Sequence, residues 1–241
     1  RDLNSGFTRP ETISLTYFQA SVLVEHLVDA HGMAALQRLL VAYGEGLETE
    51  EALDRIGLDF DRLQESFDAA VEEQFGALRL ALRQPDGEIP VGGTERLAAL
   101  RVQASEQTEN FHVQFALGRA AFEAGDNDVA REALERAADL VPMATGFESP
   151  RGLLARIAQA DGDHELAMRE LEMLLEYDET SIDAVRLYAS LAEETDDETR
   201  LGAAYERLIE IDPFDPIPHQ VLGRMALESG RSAVAIRELT I

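Results

Sequence analysis

Residues 117–142 read LGRAAFEAGDNDVAREALERAADLVP, and the pattern of this stretch returns three times further along the chain. Each copy has an apolar helical segment, a short turn and a second helical segment with regularly spaced small or apolar residues. The turns lie at residues 125, 162, 196 and 230, so successive turns are 37, 34 and 34 residues apart. A two-helix repeat of this length predicts a solenoid in which each hairpin buries its apolar face only against a neighbouring hairpin.

The four copies resemble tetratricopeptide repeats at the positions that define this family. Leu117 and Gly118 match its Leu-Gly pair, and Pro142 matches its closing proline. The other copies carry Ala155, Ala189 and Gly223 where close helix packing needs a small residue. The resemblance implies an all-α fold, a tetratricopeptide-type alpha-alpha superhelix over residues 111–241, with units that begin near residues 111, 148, 182 and 216.

The first 83 residues predict a separate small helical domain. Its apolar residues recur at helical spacing, and glycines interrupt the helical segments. Residues 84–93, QPDGEIPVGG, hold too many prolines and glycines for a helix, so we expect a linker there. Residues 94–110 then predict a connecting helix that begins with Thr94 as its N-cap.

Residues 15–75 resemble the helical end of peptidase MA-like domains, which are relatives of the gluzincin metallopeptidases. The resemblance implies a parent protein that binds zinc through an HExxH motif and a later Glu, both upstream of Arg1. Within this chain it implies one catalytic residue, Tyr17, which would stabilise the oxyanion of the tetrahedral intermediate. Gln19 and Ala20 stand where the family has Lys and Gly. The alternative is that Tyr17 packs on the core with its hydroxyl at the rim.

The composition excludes several classes of function. The 47 Asp and Glu residues outnumber 21 basic residues, all of them Arg, and the net charge of −26 repels nucleic acid and anionic membranes. No apolar run is long enough to span a bilayer, and the absence of cysteine excludes disulfides. No complete catalytic motif occurs. The sequence HELAM at His164 has Met168 where a second zinc-binding His would stand, so we predict no metal site and no cofactor in this chain.

Arginines recur on the predicted inner helices of the repeats, which line the groove in this family. Equivalent positions carry Arg119, Arg156, Ser190 and Arg224, and Arg186 lies on the same face; Phe115 and Phe122 accompany them. Because a guanidinium pairs with a carboxylate through two hydrogen bonds, we predict a groove for an acidic or C-terminal peptide segment. The alternative is that these arginines pair internally, with Glu123, Glu193, Glu194 and Glu228.

The sequence therefore predicts a protein-interaction scaffold that binds a partner protein or peptide. The competing hypothesis is that the chain is the C-terminal part of a zinc metallopeptidase, with the repeats presenting substrates. The peptidase resemblance suggests a periplasmic or envelope location, and a cytoplasmic one stays open. Because the chain begins with Arg1 and the last helical segment is short, we expect residues before Arg1 and after Ile241.

Overall fold

The computed structural model describes residues 7–89 and 95–240, and this part of the chain is helical with no strand, which confirms the predicted all-α class. None of the helices in the described ranges combines the length and apolarity needed to cross a bilayer. The helices are α1 (Ile13–His31), α2 (Met33–Gly44), α3 (Thr49–Arg55), α4 (Phe60–Ala81), α5 (Arg96–Glu106), α6 (Phe111–Glu123), α7 (Asn127–Leu140), α8 (Pro150–Ala160), α9 (His164–Leu175), α10 (Ile182–Glu194), α11 (Glu198–Ile211), α12 (Pro216–Glu228) and α13 (Ser232–Leu239).

The chain divides into two compact units, Arg1–Ala77 and Leu78–Ile241. The first unit has a small core in which Leu27 of α1 and Leu39 of α2 pack with Leu53 of α3. Many apolar side chains of α1 and α2 stay exposed, as Leu15, Leu40 and Val41 do. This core is therefore small for the number of apolar residues that the unit carries.

The second unit is an array of tetratricopeptide-like helical hairpins, in which helices contact mainly the next helix along the chain. Hairpin 1 is α6 with α7, hairpin 2 is α8 with α9, hairpin 3 is α10 with α11, and hairpin 4 is α12 with α13. The second helices of the first three hairpins begin at aspartate N-caps: Asp126, Asp163 and Asp197 each accept a backbone N–H of the first turn. These caps satisfy helix N–H groups that have no partner inside the helix, and so they define where each helix begins.

Small residues on the first helix of a hairpin let the second helix approach closely. A Cβ placed on Gly118 would lie 2.6 Å from Cγ of Leu134, and one on Gly223 would lie 2.5 Å from Cγ of Leu239. Hairpins 2 and 3 carry the buried Ala155 and Ala189 at the equivalent positions. Gly118 and Gly223 therefore have a steric reason: any side chain at these positions would collide with a leucine of the second helix.

Residues 84–89, predicted as part of a linker, belong to the second unit, and side-chain hydrogen bonds hold this segment against the rest of that unit. The Gln107 side chain accepts from the backbone N–H of Asp86 at 2.8 Å and donates to the Asp86 carbonyl at 2.8 Å. Asn110, fully buried, donates to the carbonyl of Arg83 at 2.9 Å. Residues 90–93 and the predicted cap Thr94 lie outside the described residues.

Helix α5 lies within residues 94–110, where the sequence predicts a connecting helix, and it packs on hairpin 1. Leu100 and Ala104 of α5 are buried with Val113 and Leu117 of α6. Each hairpin of such an array needs a preceding helix to cover its first helix. Helix α5 provides that cover for hairpin 1.

Candidate functional site

Two of the predicted arginines lie beside the predicted phenylalanines. Phe115, Arg119 and Phe122 are four and three residues apart on α6, which places them on one side of the helix. The guanidinium carbon of Arg119 lies 6.0 Å from the centre of the Phe115 ring. The guanidinium carbon of Arg156, on α8, lies 4.9 Å from the centre of the Phe122 ring. Hairpins 1 and 2 thus bring four of the predicted residues together.

A residue that the sequence analysis missed completes this cluster. The ring of Phe147 lies 5.7 Å from the guanidinium carbon of Arg156, so this guanidinium is within reach of two aromatic rings. Each such contact contributes on the order of 0.5–1 kcal/mol at a partly exposed site. We call Phe115, Arg119, Phe122, Phe147 and Arg156 the aromatic–arginine face. The Arg156 side chain keeps 33% of its surface exposed.

Phe147 reaches this place because the loop between hairpins 1 and 2 is long. The spacing of 37 residues between the first two turns, against 34 for the others, is the sequence signal of this insertion. In the loop Gly146 adopts φ +94°, and its N–H donates to Oδ2 of Asp178 at 2.9 Å. Gly152 lets the loop lie on α8, because a Cβ there would be 2.0 Å from the Phe147 carbonyl oxygen.

The internal ion pairs differ from the predicted set. Arg119 pairs with the expected Glu123 at 3.5 Å. Arg156 instead pairs with Glu148 of the inserted loop, with 2.8 Å between Nη1 and Oε1. Both pairs are partly exposed, and ion pairs near the surface contribute only about 0–1 kcal/mol. A carboxylate from a partner can therefore compete for either guanidinium at low cost.

The other two predicted arginines face carboxylates of the chain itself. Arg186 lies 3.5 Å from Oδ2 of Asp215. Arg224 makes no ion pair within the described residues, but it lines a cavity of about 330 Å³ together with Glu193, Asp196, Glu198 and Glu228. The equivalent residue of hairpin 3, Ser190, is exposed and hydrogen-bonds Glu194 at 3.4 Å. Within the described part of the chain, no hydrogen bond or ion pair joins these three residues to the aromatic–arginine face.

Tyr17, the predicted catalytic residue, is 63% exposed on α1. Its ring meets the ring of Phe7 edge-on, with 5.0 Å between the ring centres. Within residues 7–89 and 95–240 there is no group of three His, Asp or Glu side chains that could hold a metal ion. The catalytic role of Tyr17 stays a prediction.

A polar network joins hairpins 2 and 3. The Tyr188 hydroxyl donates to Oε1 of Glu172 at 2.7 Å, and Arg200 reaches both Glu165 and Glu172. Burial raises the pKa of Tyr188, and the hydrogen bond to Glu172 raises it further. A tyrosine hydroxyl with this environment stays protonated and acts as a hydrogen-bond donor between the two hairpins.

The comparisons with known proteins found similar solved structures and no similar sequence family. No protein-family model matches the chain, and no curated protein does. The crystal structure of MamA is 17% identical, has a TM-score of 0.48, and the match covers 60% of this chain and 83% of that one. A MamA RS-1 ArsTM double mutant is 19% identical with a TM-score of 0.46, over 61% and 80% of the two chains. The resemblance of residues 15–75 to peptidase domains is not confirmed.

Proposed function

We propose that the second unit is a protein-interaction scaffold, and that its aromatic–arginine face holds an acidic peptide segment of a partner. One observation carries this proposal: the guanidinium of Arg156 lies near the rings of both Phe122 and Phe147, while 33% of the Arg156 side chain stays exposed. The rings restrict the orientation of the guanidinium, so less conformational entropy is lost when a carboxylate binds.

Charge complementarity selects the class of partner. Arginine presents several N–H donors in a plane, which suits the two oxygens of a carboxylate. The phenylalanine rings beside it offer apolar area to neighbouring side chains of the same segment. Because the whole chain carries a charge of −26, recognition of a carboxylate depends on short-range bonds at these arginines rather than on long-range attraction.

Charge reversal of Arg156 tests the proposal directly. The probe is a fluorescein-labelled dodecapeptide of alternating Glu and Leu, whose binding to the full chain is followed by fluorescence anisotropy. We expect Arg156→Glu to weaken binding by about tenfold or more, because it removes charge-assisted hydrogen bonds and adds repulsion. Arg169→Glu is the matched control, since Arg169 is exposed on the second helix of the same hairpin and the net charge changes equally.

Two outcomes contradict the proposal. One is equal binding of the Glu-Leu peptide by the Arg156→Glu and Arg169→Glu variants. The other is equal binding of a Gln-Leu peptide of the same length by the unaltered chain. Far-UV circular dichroism of each variant verifies that helicity is retained, so that a loss of binding reports on the face itself.

Glu148 is an internal competitor for the same guanidinium, and its removal gives a change in the opposite direction. Its carboxylate pairs with Arg156 and its side chain is 71% exposed. We expect Glu148→Gln to strengthen binding of the Glu-Leu peptide by about twofold to fivefold, which corresponds to the loss of one exposed ion pair. The same substitution at Glu176, an exposed residue just past α9, should leave the affinity unchanged. Equal effects of the two substitutions would mean that only net charge matters.

A further inference from the structure

Hairpin 4 contains a buried histidine–carboxylate pair, which connects the beginning of its first helix to the end of its second helix. His219 lies in the first turn of α12 and Glu238 in the last turn of α13. The two residues are 5% and 6% exposed. The pair therefore closes the open end of the hairpin, opposite the turn that connects the helices.

Both ring nitrogens of His219 face an acceptor. Nδ1 lies 2.8 Å from Oε2 of Glu238, and Nε2 lies 3.1 Å from the carbonyl oxygen of Pro213. A carbonyl oxygen only accepts, so Nε2 must carry a hydrogen. A neutral imidazole has a single N–H, which leaves Nδ1 without a hydrogen to donate. Only the imidazolium form donates to both acceptors.

The environment of Glu238 favours its ionised form. Its second oxygen, Oε1, accepts from Nε of Arg237 at 2.7 Å, a contact in which the carboxylate needs no proton. The hydrogen bond from His219 lowers the pKa of Glu238, and burial opposes this shift. Conversely, the hydrogen bond to Glu238 raises the pKa of His219, again against burial. Asp215 is the other acidic group that acts on His219. The charged residues that line the same cavity as His219 are Glu198, Glu206, Glu210, Arg231 and Arg237.

We propose that His219 and Glu238 form a pH-sensitive clasp, which holds hairpin 4 closed in mildly acidic solution and loosens it as the solution becomes alkaline. Loss of the imidazolium proton leaves one acceptor without its donor, and it leaves the carboxylate of Glu238 buried beside a neutral ring. This inference is independent of the aromatic–arginine face, since it concerns a different hairpin and needs no partner.

The direction of the pH dependence follows from the two shifts. His219 has a raised pKa when folded, so its contribution is complete below the ordinary value of 6.5 and is lost as the pH rises through the raised value. Glu238 has a lowered pKa when folded, so its contribution is present above the ordinary value of 4.5 and is lost as the pH falls through the lowered value. Both contributions are complete between the two ordinary pKa values, 4.5 for Glu238 and 6.5 for His219, and the clasp is strongest there.

Amide hydrogen exchange of the full chain tests the clasp. After correction for the pH dependence of intrinsic exchange, protection of α13 is compared with protection of α7 in the same sample. We expect the ratio to fall by about tenfold or more over the pH interval in which the ring of His219 deprotonates. The ring signals are followed by NMR and assigned by their absence in His219→Gln.

Two variants separate the clasp from a general effect of pH. His219→Gln removes the titrating group, so the protection ratio should no longer depend on pH in that interval. His164→Gln is the control, because His164 lies on hairpin 2 beside Glu194 at 3.5 Å, and it should keep the full dependence. The proposal is overturned if α13 and α7 lose protection together in the unaltered chain, or if His219→Gln retains the transition. The first of these outcomes needs no variant to fold.

Discussion

Replacing Gly152 by alanine is expected to lower the free energy of unfolding by about 3 kcal/mol, at the upper end of what overpacking costs. The new Cβ would stand 2.0 Å from the carbonyl oxygen of Phe147 and 2.7 Å from its carbonyl carbon. Both atoms belong to the backbone, so no side-chain rotation relieves the clash. The inserted loop has to move away from α8, and the position of Phe147 beside Arg156 changes with it.

Urea unfolding of the full chain, followed by far-UV circular dichroism, measures this loss, and the hydrogen exchange of α8 shows where it acts. Gly202→Ala is the matched control. Gly202 lies inside α11, where an added Cβ would meet only Cε of Met225 at 3.7 Å. Alanine is the better helix former by about 1 kcal/mol, so this variant should be unchanged or more stable. A similar destabilisation by both substitutions would contradict the steric explanation.

Replacing Leu171 by alanine is expected to cost about 2–5 kcal/mol. Leu171 is fully buried on α9, in a cluster that contains Ala155 of α8 and Val185 of α10. The side chain therefore contributes to the packing inside hairpin 2 and to the interface with hairpin 3. In an array of repeats, a residue that supports both the packing inside a hairpin and the interface with the next one stabilises the two hairpins together, so its loss destabilises both.

The measurement for Leu171→Ala is the urea midpoint, together with amide protection of α8 to α11. Leu227→Ala, at a position that is 56% exposed on α12, removes the same atoms from a site where they are not packed. Its effect should stay within about 0.5 kcal/mol. A cost for Leu171→Ala as small as that of Leu227→Ala would show that the hairpins do not depend on this shared core.

Much of the fold could be predicted from the chain itself, because it rests on interactions between near neighbours. The predicted units begin near residues 111, 148, 182 and 216, and the first helices begin at Phe111, Pro150, Ile182 and Pro216. The turns and the small residues recur in all four hairpins, and an aspartate follows the turn in the first three. Each of these features acts within a few residues or on the partner helix of the same hairpin. The first unit has no such repeat, so the spacing of its apolar residues predicts a small helical domain but not how its helices pack; its peptidase MA-like resemblance stays a prediction.

The candidate site could be predicted in part. Phe115, Arg119 and Phe122 share a helix face, so their proximity follows from the geometry of one helix. The place of Arg156 against Phe122 required the stacking of hairpin 2 on hairpin 1 in the expected register. The spacing of 37 residues is the one sequence signal of the longer loop, and nothing in the loop sequence shows that Phe147 and Glu148 reach Arg156.

The sequence alone thus determined the helical hairpins, their period and the residues that let the helices approach, since these depend on local hydrogen bonds and on repeated side-chain size. Only the tertiary structure decided which carboxylate each arginine meets. With 47 acidic residues in the chain, many exposed pairs have nearly equal energies, and the backbone path of loops selects among them. The same holds for His219 and Glu238, whose pairing depends on how the two helices of the last hairpin are aligned.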